Sequence, residues 1–305
     1  MQHKTIAQAA SNGRADIVYP IAAYSLWGIL PIYWKVMKQL PAGDILAHRI
    51  FWSFLFLAVI ISGMRRWKEF RQAFTSIRSL LTISVAAILI SVNWLIYIWA
   101  VNNNHIVEAS LGYYINPLLT ILLGVVVLHE RSDVWQIVAI ALAFVGVALL
   151  TYQFGEVPWV AVSLAVSFAL YGLVKKLSKL SPLTGLAAET MMVTPLALGY
   201  LYMQVSGTVN NYSSISYGMS IMILLTGVVT SIPLLLFAQG AKRVSLTTMG
   251  FVQYLSPSLS LLIGIFIYKE PFTLAYQISF GLIWVALAIY SFSRKEVLSK
   301  LKISK

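Results

Sequence analysis

The chain alternates long apolar runs with short polar breaks, and the spacing of the breaks fits a lipid bilayer. A helix that crosses ~30 Å of hydrocarbon needs ~20 mostly apolar residues. Ten windows have that length: 17–37, 43–63, 79–101, 107–128, 134–153, 158–177, 185–204, 217–239, 246–268 and 274–293. Every break between them carries charge, Asn, Gly or Pro, the residues that end apolar helices. Two windows depart from the apolar pattern, since Glu108 lies within 107–128 and Glu189 within 185–204. The pattern predicts an all-α integral membrane protein of ten transmembrane helices, flanked by a polar tail over 1–16 and a basic tail over 294–305.

Composition agrees with that class. The chain has 305 residues, 59% of them hydrophobic and 10% charged, and its mean hydropathy of +0.81 lies beyond the range of soluble domains. Without cysteine it offers no disulfide, thiolate metal site, iron–sulfur cluster or cysteine nucleophile. The first 16 residues are polar and the run after them lacks an Ala-x-Ala end, so no cleaved signal peptide is expected. A net charge of +12 raises nucleic acid as a partner, but the placement of the charge points elsewhere. With a cytoplasmic N-terminus, all but four of the 22 Lys and Arg fall in segments on the inner side; the exceptions are Lys35, Lys38, Lys269 and Arg49. Such an asymmetry sets topology, puts both termini in the cytoplasm and attracts anionic lipid headgroups. No nucleic-acid partner is expected.

Setting Pro117 on Pro257 superposes PLLTILLGVVVLHE on PSLSLLIGIFIYKE, with Gly124 on Gly264 and Glu130 on Glu270. Upstream the offset of 140 becomes 138, and Gly112 falls on Gly250. Leu on Leu in an apolar helix means little, whereas Pro, Gly and Glu in one register are hard to obtain by chance. The chain therefore reads as two five-helix repeats, 17–153 and 158–293. Five is odd, so the second repeat enters the membrane from the opposite side. That is the inverted-topology architecture in which secondary transporters hold a solute near the midplane, between the repeats.

Several polar positions would serve such a site. Glu108, Gly112, Asn116 and Thr120 fall at intervals of four and form one stripe along the fourth span. In lipid that stripe would be costly, so it faces protein or water, either as a pathway or as hydrogen bonds between helices. Arg49 is the only basic residue well inside a span; it pairs with Glu108, snorkels to the headgroups, or meets a substrate carboxylate or phosphate. Lys35 lies near the same end. At the 140 offset Arg49 corresponds to Glu189, for which Lys175 and Lys176 are the nearest expected partners. Asn93, Trp94, Tyr113 and Gln253 complete the candidate chamber, and Pro31, Pro117, Pro195 and Pro257 each remove a backbone donor and are candidate hinges. His48, whose ring titrates near pH ~6.5 when unperturbed, and the two intramembrane carboxylates supply groups for proton coupling. His3, His48, His105 and His129 show no metal-ligand spacing, and no phosphate-binding glycine loop is present. Neither metal nor cofactor is expected, and no catalytic residue is assigned.

The stretches WGILPIYWK, PAGDILAHRIFWSF, NWLIYIWAVNNN, EASLGYYINPLL, ALYGLVKK, AETMM, TSIPLLLFAQGAKR and GFVQYLSP resemble the RarD-type branch of the EamA family, in the drug/metabolite transporter superfamily. The resemblance spans nearly the whole chain. It implies a ten-helix inverted-repeat permease of the bacterial inner membrane, moving a small organic solute such as an amino acid, an aromatic metabolite or a drug, outward more than inward. Substrate, coupling ion and oligomeric state do not follow from it. The rival classes are a membrane-embedded enzyme acting on lipid and a structural subunit of a membrane complex.

Overall fold

Where no water is available, backbone N–H and C=O groups must be satisfied within the segment, so the apolar runs become helices. The computed structural model describes residues 16–37, 39–103, 105–154, 158–206, 216–268 and 274–293. In chain order the helices are α1 (Val18–Val36), α2 (Ala42–Gly63), α3 (Trp67–Gln72), α4 (Ile77–Asn102), α5 (Ile106–Val126), α6 (Val134–Phe154), α7 (Trp159–Leu177), α8 (Pro182–Ser206), α9 (Tyr217–Arg243), α10 (Leu246–Gln253), α11 (Leu255–Phe266) and α12 (Leu274–Ser293). Among the described residues there is no strand. Among the described residues seven segments are long and apolar enough by themselves to cross a bilayer, with a shorter apolar stretch over Gln277–Ser293.

Two details differ from the windows read in the sequence. The break after the second window contains α3, a short helix that brings Glu69 against α8. The window 246–268 is two helices, interrupted at Tyr254. Pro257 has no N–H to give the Gln253 carbonyl, and the Tyr254 N–H turns back to Phe251 O at 3.3 Å, so the regular ladder fails there.

Large aliphatic and aromatic side chains such as Val59, Leu95, Leu196 and Phe266 are exposed, as lipid-facing groups should be. The buried positions are rich in Ala, Ser and Thr. Small residues let helix backbones approach where no hydrophobic effect drives association, and their hydroxyls bond across or back along helices.

The helix contacts obey an exchange of the two halves. The packing of α5 on α7 has its counterpart in α10 and α11 on α1; α4 on α7 corresponds to α9 on α1, and α4 on α8 to α9 on α2. The contacts α2 on α8, α5 on α10 and α6 on α12 map onto themselves. That is the pattern of an inverted repeat about a pseudo-two-fold axis, with the main seams running between the repeats rather than within them.

Candidate functional site

Arg49 lies about two turns into α2, where α9 crosses very closely. A Cβ on Gly227 would overlap the Trp52 backbone, so only glycine permits the approach. Ser53 Oγ donates to Gly227 O at 3.3 Å in the same crossing. One turn further along α9, Thr230 Oγ1 accepts from Arg49 Nε at 3.1 Å. The guanidinium carbon lies 4.8 Å from the ring centre of Trp34, on α1, and 5.1 Å from that of Trp94, on α4. Such distances are attractive for a cation over an aromatic face. Tyr113, Tyr97 and Tyr33 are the phenols within electrostatic reach, with the rings of Tyr97 and Tyr113 6.3 Å apart. Among the described residues no carboxylate pairs with Arg49, and its two terminal amino groups carry no hydrogen bond.

A second cluster joins α7 to α8. Lys175 Nζ lies 2.7 Å from Glu189 Oε1, and the Tyr171 hydroxyl donates to Glu189 Oε2 at 3.1 Å. The ion-paired side chains are 4% and 5% exposed. Glu189 thus meets one of the two lysines expected for it. Beside it runs a narrow cavity lined by Ile50, Ile90, Ser91, Trp94, Leu186, Thr190, Val193 and Leu234. Ser91 Oγ, in that lining, is buried with no hydrogen-bond partner among the described residues. Trp94 therefore borders both clusters, with its ring near Arg49 and a place in the lining of the cavity that reaches Glu189.

The remaining candidates separate into groups. Asn116 and Thr120 are buried, with the Thr120 hydroxyl 3.1 Å from Asn116 Oδ1 and 3.3 Å from Gln253 Oε1, so the polar stripe of α5 faces α10. A Cβ on Gly112 would lie 3.0 Å from Ala161 O, which makes that position a close contact of α5 with α7. Asn93 gives its amide to Leu164 O and Ser167 Oγ, both at 2.9 Å, and so ties α4 to α7. Tyr113 is half exposed, and His48 is partly buried on the same helix as Arg49. Lys35 is directed at Tyr268, with Nζ 3.2 Å from the ring centre. The Glu108 side chain lies outside the described residues, so its pairing with Arg49 is not addressed. Pro31, Pro117 and Pro195 sit within continuous helices, and only Pro257 follows an interruption.

Sequence reasoning had not singled out Thr230, Tyr33, Tyr97 or Ser91. Thr230 and the two tyrosines lie in the stretches that carry the family resemblance, but nothing in the spacing of a lone Thr or Tyr marks it as facing a guanidinium from another helix. Among the described residues no group of three His, Asp or Glu could hold a metal ion.

The EamA-like transporter family matches the chain twice, over residues 15–152 and 157–292. A Bacillus subtilis protein named "Uncharacterized transporter YojE" is 46% identical over 92% of this chain and 95% of its own length. "Protein RarD" of Escherichia coli is 40% identical over 92% of this chain and 95% of its own length. A solved crystal structure 18% identical in sequence superposes with a TM-score of 0.68, covering 90% of this chain and 96% of that one, and shares the fold. With the helix order, the exchange-related contacts and relatives of this identity, the chain belongs to the EamA-like transporter family, in its RarD-type branch, and is a multi-pass membrane transporter.

Proposed function

We propose that this protein is a secondary transporter of a small organic solute, working by alternating access at the seam between its two repeats. The observation that carries this is the arrangement around Trp94: a cation without a described counter-ion on one side, and on the other a small cavity that Trp94 lines together with Glu189 of the closed Lys175–Glu189 pair. One cluster is suited to receive a ligand and the other to seal the path. In this reading Arg49, Trp94 and Tyr113 contact solute, and Lys35, His48 and Glu108 set the charge at the mouth. Glu189 belongs to the gate at the other end. Asn93, Asn116 and Gln253 hold the seam between the repeats. Rocking of residues 17–153 against 158–293 exposes the site to each side in turn, with bending beside Pro257 and, to a smaller degree, at Pro31, Pro117 and Pro195.

The charge asymmetry supports cytoplasmic termini, and the family resemblance supports the bacterial inner membrane and outward transport. Proton coupling would use His48 and the intramembrane carboxylates. The test is flux in liposomes containing only the purified protein. Labelled amino acids and aromatic metabolites should exchange saturably across the bilayer, and Glu189→Gln should slow exchange at least ~10-fold. No flux of any of these solutes under any imposed gradient, together with chemical modification of the liposome lipid, would replace transport by a lipid-modifying activity.

A further inference from the structure

Arg49 and Glu189 stand at equivalent positions of the two repeats at the 140 offset, and so do Lys35 and Lys175. Contacts support the same equivalence in space. The packing of α2 on α8, the two helices that carry Arg49 and Glu189, maps onto itself when the halves are exchanged. In the second repeat the two positions hold a cation and a carboxylate, and they pair at 2.7 Å with Tyr171 as an added donor. In the first repeat the same two positions hold two cations.

Both face aromatic rings, Lys35 over Tyr268 and Arg49 beside Trp34 and Trp94, and among the described residues neither has a carboxylate partner. Arg49 uses Nε on Thr230, and its terminal amino groups, the fork that grips a carboxylate side-on, are free among the described residues. A partly buried charge whose counter-ion is missing is costly, and the lower dielectric that makes it costly also strengthens its grip on an anion.

We infer that the missing counter-ion is the transported solute: the site takes a monoanionic organic carboxylate, held by two hydrogen bonds to Arg49, with a flat apolar body against Trp34 and Trp94. The inference rests on the transport reading and names its substrate class. One available guanidinium balances one charge, which favours a carboxylate over a doubly charged phosphate. Two indole rings lie at 4.8 and 5.1 Å from the guanidinium carbon, and apolar rings beside the charged fork favour a planar group on the carboxylate.

The test is equilibrium binding to the full-length protein in neutral, lipid-free detergent, followed by tryptophan fluorescence, with benzoate, benzamide, benzylamine and phenyl phosphate as probes. Benzoate should bind saturably, and benzamide and benzylamine at least ~10-fold more weakly. Arg49→Lys, which keeps the charge and loses the fork, should weaken benzoate ~10- to 100-fold. Trp34→Leu should weaken it less, by ~3- to 10-fold. Equal binding of benzoate and benzamide, or an unaffected Arg49→Lys, overturns the assignment. Tighter binding of phenyl phosphate than of benzoate would overturn it in favour of a phosphate or lipid-headgroup site. A ~10-fold gain in benzoate binding in Glu108→Gln would identify Glu108 as the counter-ion and overturn the proposal.

Flux separates this proposal from the one it rests on. Arg49-dependent benzoate binding without flux of any solute removes the transport reading and keeps the site. Solute flux that Arg49→Lys does not alter, with no benzoate binding, removes the site and keeps transport.

Discussion

Lys175 and Glu189 form an ion pair of 2.7 Å between the last turn of α7 and the first half of α8, with almost no exposure of either side chain. Tyr171 closes the second carboxylate oxygen, and its ring stacks on Phe237 of α9 at an interplanar angle of 9°. The pair is therefore set into the packing of three helices of one repeat. At the equivalent place in the other repeat stands Arg49. A fold whose contacts are nearly symmetric is electrically asymmetric at this pair of positions.

Removing one partner of the pair should be far more damaging than removing both. Lys175→Met leaves Glu189 charged and buried, a situation that typically costs about 3–5 kcal/mol, whereas an apolar pair of similar volume is often neutral. The expected result is a large loss of stability in Lys175→Met and in Glu189→Leu, with most of it recovered in the double variant. Thermal unfolding in detergent measures all four forms. If the double variant loses as much as the two singles added together, the pair does not act as a unit.

Glu130 holds the N-terminus of α10 from the other repeat. Its carboxylate accepts from Leu246 N at 2.7 Å, Thr247 N at 2.8 Å and Thr247 Oγ1 at 2.7 Å, so it neutralises the positive end of a helix and satisfies its free donors. The turn that delivers it runs through His129 at φ 52. Glu130→Ala should destabilise the protein by about 1–2 kcal/mol. Amide exchange over 246–254 should accelerate more than elsewhere, because α10 is already separated from α11 at Tyr254. Uniform acceleration over all helices would mean that Glu130 supports the whole bundle and not this helix.

Much of the architecture was legible because it rests on periodic signals. Segment length gave the spans, an odd number per repeat gave the inversion, and the polar stripe at Gly112, Asn116 and Thr120 does face protein. The register of Pro117 on Pro257 also placed Arg49 opposite Glu189. Local sequence could not say which partner each polar group meets across a helix seam. Asn93 beside Trp94 suggested a chamber residue, but its amide is engaged by Leu164 and Ser167 on α7. Proline alone does not distinguish the four helices that carry it, yet only beside Pro257 is the helix interrupted. Thr230 was invisible for a similar reason, as its meaning comes from Gly227 one turn earlier and from α2.

Glu69, on the surface helix α3, gives a pH-dependent contact between the repeats. Burial works to raise its carboxyl, but hydrogen bonds from Ser181, Thr184 and Arg66, with the Arg66 charge, outweigh it and hold the group below its ordinary value of 4.5. Ser181 Oγ and Thr184 Oγ1 donate to Glu69 Oε1 at 2.6 and 2.7 Å. A depressed carboxylate contributes stability that is fully present above its unfolded value and is lost as pH falls through its folded value. Glu69→Gln should therefore melt below wild type at pH 7, and the difference should vanish as the medium is acidified below pH ~4. A gap between the two proteins that persists at pH 3 would assign the effect to geometry and not to charge.

The crossing of α2 and α9 at Gly227 lies on the seam that positions Arg49, so it offers a way to disturb the site without touching it. An added methyl would overlap the Trp52 backbone, which cannot rotate away as a side chain can. Overpacking of this kind costs about 1–3 kcal/mol, and here the two helices must separate to relieve it. Separation lengthens the Arg49–Thr230 contact, now 3.1 Å, and moves the guanidinium relative to Trp34 and Trp94. Gly227→Ala is expected to lower the melting temperature and reduce solute flux together. Gly218→Ala, on the same helix where a Cβ meets nothing within 4 Å, should change neither. Equal behaviour of the two variants would show that the tight crossing is not what places Arg49.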